Sequence, residues 1–379
     1  MEQMVQATVW VDALSSVGND VPSGLAPTAV HGLQSRRAEP PADGKGRRML
    51  EAYFEKIHPR YPFLERSELL HLHAQRYDPV PSTTFRRFGI FKLNMVYAIG
   101  GTLLKLTDPS FETQVESFLA TALQQVSSVR QSNALHSIEG MALLVLYSLR
   151  SLSNTGIWYL IGLAMRTCVD LGLHLESSYT AEDPSQSLKK RRLFWSVYLL
   201  DRFIAISLRR PLGIAEHDID TNIPSQIEED STHQGMDVNN PIDLSNPKPS
   251  AKLNVWAKLI QIKRFESRIH TDVYCLNETR QQRLTKVEPL LASLDTWAQS
   301  TLPITGSEIS YLQLQWNGAV SQLLRPFLSV MRRDDPLISR CLKASGHVCN
   351  IFKRMHQQDS YSHSFISAHL IFISGVTMW

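Results

Sequence analysis

Cysteine is scarce in this sequence, and no two cysteines are closely paired. The four, Cys168, Cys275, Cys341 and Cys349, form no Cys-x-x-Cys. A tetrahedral zinc site draws on such short pairs, so no metal or other cofactor is expected in this chain. Scattered cysteines fit buried free thiols in a reducing compartment. An excess of one charge is missing too. Lys plus Arg number 39 against 36 Asp plus Glu, a net charge of +3. That balance excludes a nucleic-acid surface spread over the whole chain and leaves room for a local patch. There is no long apolar run. The best candidate, residues 365–379, includes His369 and two serines and falls short of the about 20 apolar residues a membrane span needs. It reads as a buried helix, and no membrane partner is expected. Glu2 and Asp12 interrupt the start of the chain, so it does not read as a secretory signal.

Strand signals are also lacking, since period-two alternation never runs far. What remains is helical periodicity with short connections. The expected fold class is all-α, a multi-helix superhelical array or bundle of antiparallel helix pairs. Residues 1–48 carry scattered Gly, Pro, Ser and Ala and read as a disordered leader. Their basic residues Arg36, Arg37, Lys45, Arg47 and Arg48 read either as a nuclear import signal or as a solvated tail. Order is expected from Met49, where MLEAYFEKI places Leu50, Tyr53, Phe54 and Ile57 on one side. Ser67 opens the next helix. His71 and His73 in it face different sides, so they make no metal pair.

Helices are then expected over 84–105 and 110–129, from Ser137, and over 156–176. The last two are apolar nearly all round, which predicts central burial. Gly162 and Gly172 permit close helix approach or mark an end. A first helical block thus covers 49–224. Residues 225–250 follow as an acidic loop with Glu228, Glu229, Asp230, Asp237 and Asp243, long for a compact domain. A second block covers 251–379. Its first helix points Leu253, Trp256, Leu259, Ile260 and Ile262 inward, and helices over 284–297, 310–330, 336–355 and 363–379 follow. Pro326 is expected to kink or end its helix. The chain stops on Trp379 without a polar cap, which reads as a helix cut short in a fragment or truncated relative.

The densest stretch is residues 189–224, KKRRLFWSVYLLDRFIAISLRRPLGIAEHDIDTNIP. A basic run leads into an apolar helix that carries Asp201 and Arg202 in its interior. A buried charge without a partner is very costly, so Asp201 is expected to pair with an arginine from this or a neighbouring helix. The basic run 189–192 could serve as a nuclear import signal or a phosphate-binding patch, but at the start of a buried helix it reads better as an exposed first turn with one arginine turned inward. Cations there oppose the helix dipole, so a tertiary reason for them is expected. After Arg210-Pro211 comes a turn with Glu216, His217, Asp218 and Asp220. Carboxylates beside a histidine suit a divalent metal or proton relay, yet aspartates in a turn also cap their own backbone. No Gly-rich phosphate loop, Gly-x-Ser-x-Gly elbow or His-Glu-x-x-His is present.

This stretch resembles the signature of the fungal-specific transcription factor domain, the middle homology region of fungal zinc binuclear cluster regulators, also called the xylanolytic-activator regulatory domain. YFEKIHPRYPFLERSEL, WYLIGLAMRTCVDLGLHLE and LLRPFL agree with it in order and spacing. The resemblance covers residues 49–379. It makes Arg192, Trp195, Tyr198, Asp201, Arg202, Arg210, Pro211, Asp218, Asp220 and Pro224 structural signature positions. It implies a nuclear, effector-sensing regulator of a metabolic or biosynthetic gene set in a fungus, and no enzyme. Partners implied are DNA, a homo- or heterodimer mate among zinc-cluster factors, and a small-molecule effector. The six cysteines of the family's zinc cluster have no counterpart in residues 1–48. Zinc and direct DNA contact are therefore expected only from outside this stretch. The alternatives are a coregulator that pairs with or sequesters a zinc-cluster factor, and a helical enzyme acting at His217, Asp218 and Asp220.

Overall fold

A computed structural model describes residues 38–78, 83–108, 110–126, 133–150, 156–180, 182–224, 251–274, 278–301, 307–357 and 365–379. Arg36, Arg37, Cys275 and the acidic loop 225–250 lie outside the described residues. Among the described residues every regular element is helical, so the fold is all-α.

Helix α1 spans Asp43–Lys56 and starts six residues before Met49, within the stretch read as a leader. Asp43 supplies an acidic first turn, which favours a helix start there. Met49, Leu50, Tyr53, Phe54 and Ile57 are buried. Helix α2 is Arg66–Ala74 and α3 is Thr84–Thr107. His73 of α2 is buried and satisfied, with Nδ1 against the Tyr97 hydroxyl and Nε2 3.1 Å from Asp43 Oδ1. Helix α4, Val115–Leu123, is shorter than its expected 110–129, and Phe111 packs from the preceding loop.

Helices α5, Ala134–Ser148, and α6, Ile157–Asp170, are the central pair. Residues 138 and 140–148 of α5 are buried almost without interruption, as the continuous apolar pattern requires. The sequence pattern of α6 runs on to Glu176, but the helix stops at Asp170. Gly172 adopts φ 69°, and the amides of Gly172 and Leu173 close back on Val169 O and Cys168 O, both at 2.9 Å. That is a Schellman stop, which a glycine makes easily.

Helix α7 covers Pro184–Leu208. The Asp183 carboxylate accepts from the Ser185 and Gln186 amides, and Pro184 sits at the first helical position. Residues 189–192 are therefore more than a turn inside the helix, not its first turn. The helix ends at Arg209 with φ 53°, followed by Pro211.

Helix α8, Ala251–Val273, is followed by α9, Arg280–Leu284, and α10, Val287–Gln299. Helix α11 is Ser307–Leu324, α12 is Pro336–Gln357 and α13 is Phe365–Met378. Trp256, Leu259, Ile260 and Ile262 of α8 are buried. Pro326 ends α11 early, in a 3-10 turn at Arg325–Phe327. Packing follows chain order for the most part: α3 on α5, α5 on α6, α6 on α7, α7 on α8, α8 on α11, α11 on α12 and α12 on α13. Helix α13 also returns to touch α7. No described helix is long and apolar enough to cross a membrane.

Candidate functional site

Arg202 is among the largest fully buried side chains of the protein, at 0% exposure. Its position on α7 puts it at the seam with α8, beneath residues 209–224, which fold back as a strap. Every direction of its guanidinium is used. Nη1 donates to Asp201 Oδ2 at 2.7 Å. Nη2 donates to the Ile214 carbonyl at 2.6 Å and to Glu216 Oε1 at 3.0 Å. Nε donates to Ser267 Oγ of α8 at 3.0 Å. The Tyr198 ring lies under it, 4.3 Å from centroid to guanidinium carbon. Fixed-fork geometry and weak hydration suit arginine, rather than lysine, to such a site.

Asp201, 1% exposed, holds the other end. Its Oδ2 also accepts the Gly213 amide at 3.0 Å. A Cβ at position 213 would stand 2.8 Å from Asp201 Oδ1, so the strap approaches this closely because residue 213 has no side chain. Glu216 completes the cluster. The Tyr198 hydroxyl donates to its Oε1 at 2.6 Å, and Arg264 Nε of α8 donates to its Oε2 at 3.1 Å. Burial pushes the Tyr198 phenol pKa well up, so it stays a donor.

The rest of the strap is fastened further up α7. Trp195 Nε1 donates to the Asn222 carbonyl at 3.0 Å. Arg191 forms a two-pronged pair with Glu176 and reaches Thr221 Oγ1 at 3.1 Å. Glu176 also accepts the Asn222 amide at 2.9 Å. The Arg191 guanidinium holds the Glu176 carboxyl down at about 2. Lys189 pairs with Glu65 at 2.9 Å and Lys190 with Glu182. These partners supply the tertiary reason for the basic run.

The remaining signature positions have lesser roles. Asp220 Oδ1 accepts the Glu176 amide at 2.7 Å, a backbone cap. Arg210 lies over the Trp158 ring at 5.7 Å, Pro211 is exposed where α7 ends, Pro224 is buried and Arg192 is half-buried. His217 and Asp218 stand 3.5 Å apart with side chains 85% and 55% exposed. The acidic turn is thus split. Glu216 faces inward to arginines, Asp220 caps backbone, and His217 with Asp218 faces solvent. Among the described residues no group of three His, Cys, Asp or Glu side chains is placed to hold a metal.

Of the basic residues near the start, three lie on α1 with partners. Lys45 donates to the Glu112 carbonyl, Arg47 pairs with Asp43 at 2.8 Å and Arg48 with Asp108 at 2.9 Å. Arg264, Ser267 and Gly213 were not singled out in the sequence. The Lys263-Arg264-Phe265-Glu266 run inside an otherwise amphipathic helix is the signal that points to the first two.

A cavity of about 100 Å³ lies further along the same seam. Helices α7, α8, α11 and α13 line it through Phe203, Ile206, His270, Leu314 and Leu370, among others. Nothing in the sequence analysis marked it, because its walls come from segments more than 150 residues apart.

A model of the fungal specific transcription factor domain matches residues 50–299. The match contains the whole Arg202 cluster. The chain belongs to the fungal specific transcription factor domain family. Similar relatives include the pyrimidine pathway regulatory protein 1 of Saccharomyces cerevisiae, 27% identical over 299 residues. That alignment covers 76% of this chain and 33% of the relative. An uncharacterized transcriptional regulatory protein of the same yeast is 26% identical over 362 residues, 88% of this chain and 26% of the relative. The positive regulator of purine utilization of Emericella nidulans is 22% identical over 433 residues, 87% of this chain and 41% of the relative. The chain thus spans about a quarter to two-fifths of these relatives' lengths. All three are named as regulators and not as enzymes.

Proposed function

We propose that this chain is the regulatory domain of a transcription regulator that acts in the nucleus on a metabolic or biosynthetic gene set. The observation that carries the reading is the family match over residues 50–299, with the strap and its buried charges inside it. Two similar relatives are named for pyrimidine and purine pathways, which supports a metabolic target set. In this reading the helical domain receives a signal from a small molecule or a protein partner. Residues 1–48 hold no cysteine, so DNA is reached through a zinc-cluster partner or another part of the protein. The same observation supports a second reading, a coregulator that pairs with a zinc-cluster factor.

The test is to fuse the chain to an unrelated DNA-binding module and measure a reporter in a fungal host. A severalfold rise or fall in transcription is expected, with the tagged chain in the nucleus. An unchanged reporter in both activation and repression formats, with the tagged chain confined to the cytosol, sinks the proposal. Co-purification of the chain with a zinc-cluster protein supports the coregulator reading over the first.

A further inference from the structure

We infer that the cavity at the α7–α8–α11–α13 junction binds a small organic carboxylate. The charge count of its walls leads there. Glu266 is the one carboxylate among the described lining residues, and Lys263 Nζ occupies both its oxygens at 2.9 and 2.7 Å. That pair is buried and neutral overall. Two further cations line the cavity, Arg209 and Arg325. Arg325 makes one side-chain hydrogen bond among the described residues, a long one to the Tyr274 hydroxyl at 3.5 Å, and no ion pair. The Arg209 side chain has no hydrogen bond or ion pair among them. Two guanidinium groups without a counter-charge beside one cavity are an anion site, and their planar fork matches a carboxylate.

Other groups narrow the ligand. His369 lies beside both arginines, and burial, Arg325 and Arg209 hold its pKa below the ordinary value. It is therefore a neutral donor or acceptor at pH 7 rather than a third cation. The Ser374 hydroxyl lines the same cavity, is 1% exposed and has no hydrogen-bond partner among the described residues. Such a buried polar atom without a partner calls for an explanation, and a bound ligand supplies one. The remaining wall is apolar, with Phe203, Ile206, Leu314, Leu370 and Ile373. An inorganic anion would leave that wall unfilled. A carboxylate on a compact apolar body of about one ring satisfies both the arginines and the wall at this volume.

The inference deepens the small-molecule version of the proposed function. Phe203 and Glu266 line the cavity, while their chain neighbours Arg202 and Ser267 bond to each other across the seam. Ligand between Arg209 and Arg325 therefore acts on the helix pair that carries the strap.

The test uses the purified full chain, thermal melting and calorimetric titration with benzoate, benzamide and inorganic phosphate. Benzoate is expected to bind saturably and raise Tm, and benzamide, of the same shape without the charge, to do neither. Arg209→Gln, at an exposed position, is expected to weaken benzoate at least tenfold, and Arg209→Gln with Arg325→Gln to abolish its binding. Equal binding of benzoate and benzamide overturns the inference. So does benzoate binding that survives the double substitution, saturation by phosphate alone, or no response to millimolar benzoate. A failed titration leaves the reporter result standing, and a silent reporter leaves the titration standing.

Discussion

Two neighbouring regions of the α7–α8 seam, a strap side and a cavity side, handle charge in opposite ways. On the strap side, Asp201, Arg202, Glu216 and Arg264 neutralise one another within hydrogen-bond distance. On the cavity side, Arg209 and Arg325 face open volume with no carboxylate of their own among the described residues. The helices are the same, so burial alone does not explain the difference. A charge that holds the fold must bring its counter-charge with it, because a lone buried ion is very costly. A charge at an open cavity can be left for something that arrives later. The seam therefore teaches that the strap side is architecture and the cavity side is the place to look for a ligand.

Arg202→Met tests the strap side hardest. It strands Asp201 in the interior and takes two of the strap's bonds, so a loss of about 3–5 kcal/mol is expected in chemical denaturation. A loss under about 1 kcal/mol would erase the distinction between the two sides. Tyr198→Phe removes one donor to the Glu216 carboxylate without changing packing. The expected loss is about 1.5 kcal/mol, read as a lower denaturant midpoint at unchanged slope.

Glu176→Gln probes the upper anchor through pH. The folded carboxyl sits at about 2, held there by Arg191, below the unfolded value of about 4.3. Its contribution is present above the unfolded value and is lost as pH falls toward the folded one. The stability gap between wild type and variant should be flat above about pH 5 and close towards pH 2. Partial solvent exposure holds that gap to about 1 kcal/mol or less. A gap that persists to pH 2 would assign the stabilisation to packing. Arg209→Gln is expected to do least, within about 0.5 kcal/mol without ligand, since its exposed side chain makes no hydrogen bond or ion pair among the described residues. A larger loss would make Arg209 a fold residue and blur the contrast with Arg202.

Local periodicity made the helices legible. Residues 141–149 show the nearly continuous apolar pattern and are buried, and the α8 stripe through Trp256 and Ile260 faces the core. Boundaries failed where a backbone device overruled the pattern: the Schellman stop at Gly172 and the Asp183-Pro184 start of α7. The second was readable, since Asp-Pro is a sound opening for a helix. The pairing of Asp201 was expected as a physical necessity. That its partner is the next residue, Arg202, was not legible. Adjacent residues leave a helix in different directions, and only a packed environment bends both side chains to one point.

The sequence alone determined the all-α class, the family and the need for every interior charge to find a partner. These follow from periodicity, the order of motifs and the cost of desolvation. Tertiary structure decided which charges meet. Glu176 reaches Arg191 across 15 residues, Ser267 reaches Arg202 across 65, and α13 closes the cavity against α7. A partner at such range depends on how whole helices pack, and no local stretch of sequence carries that information.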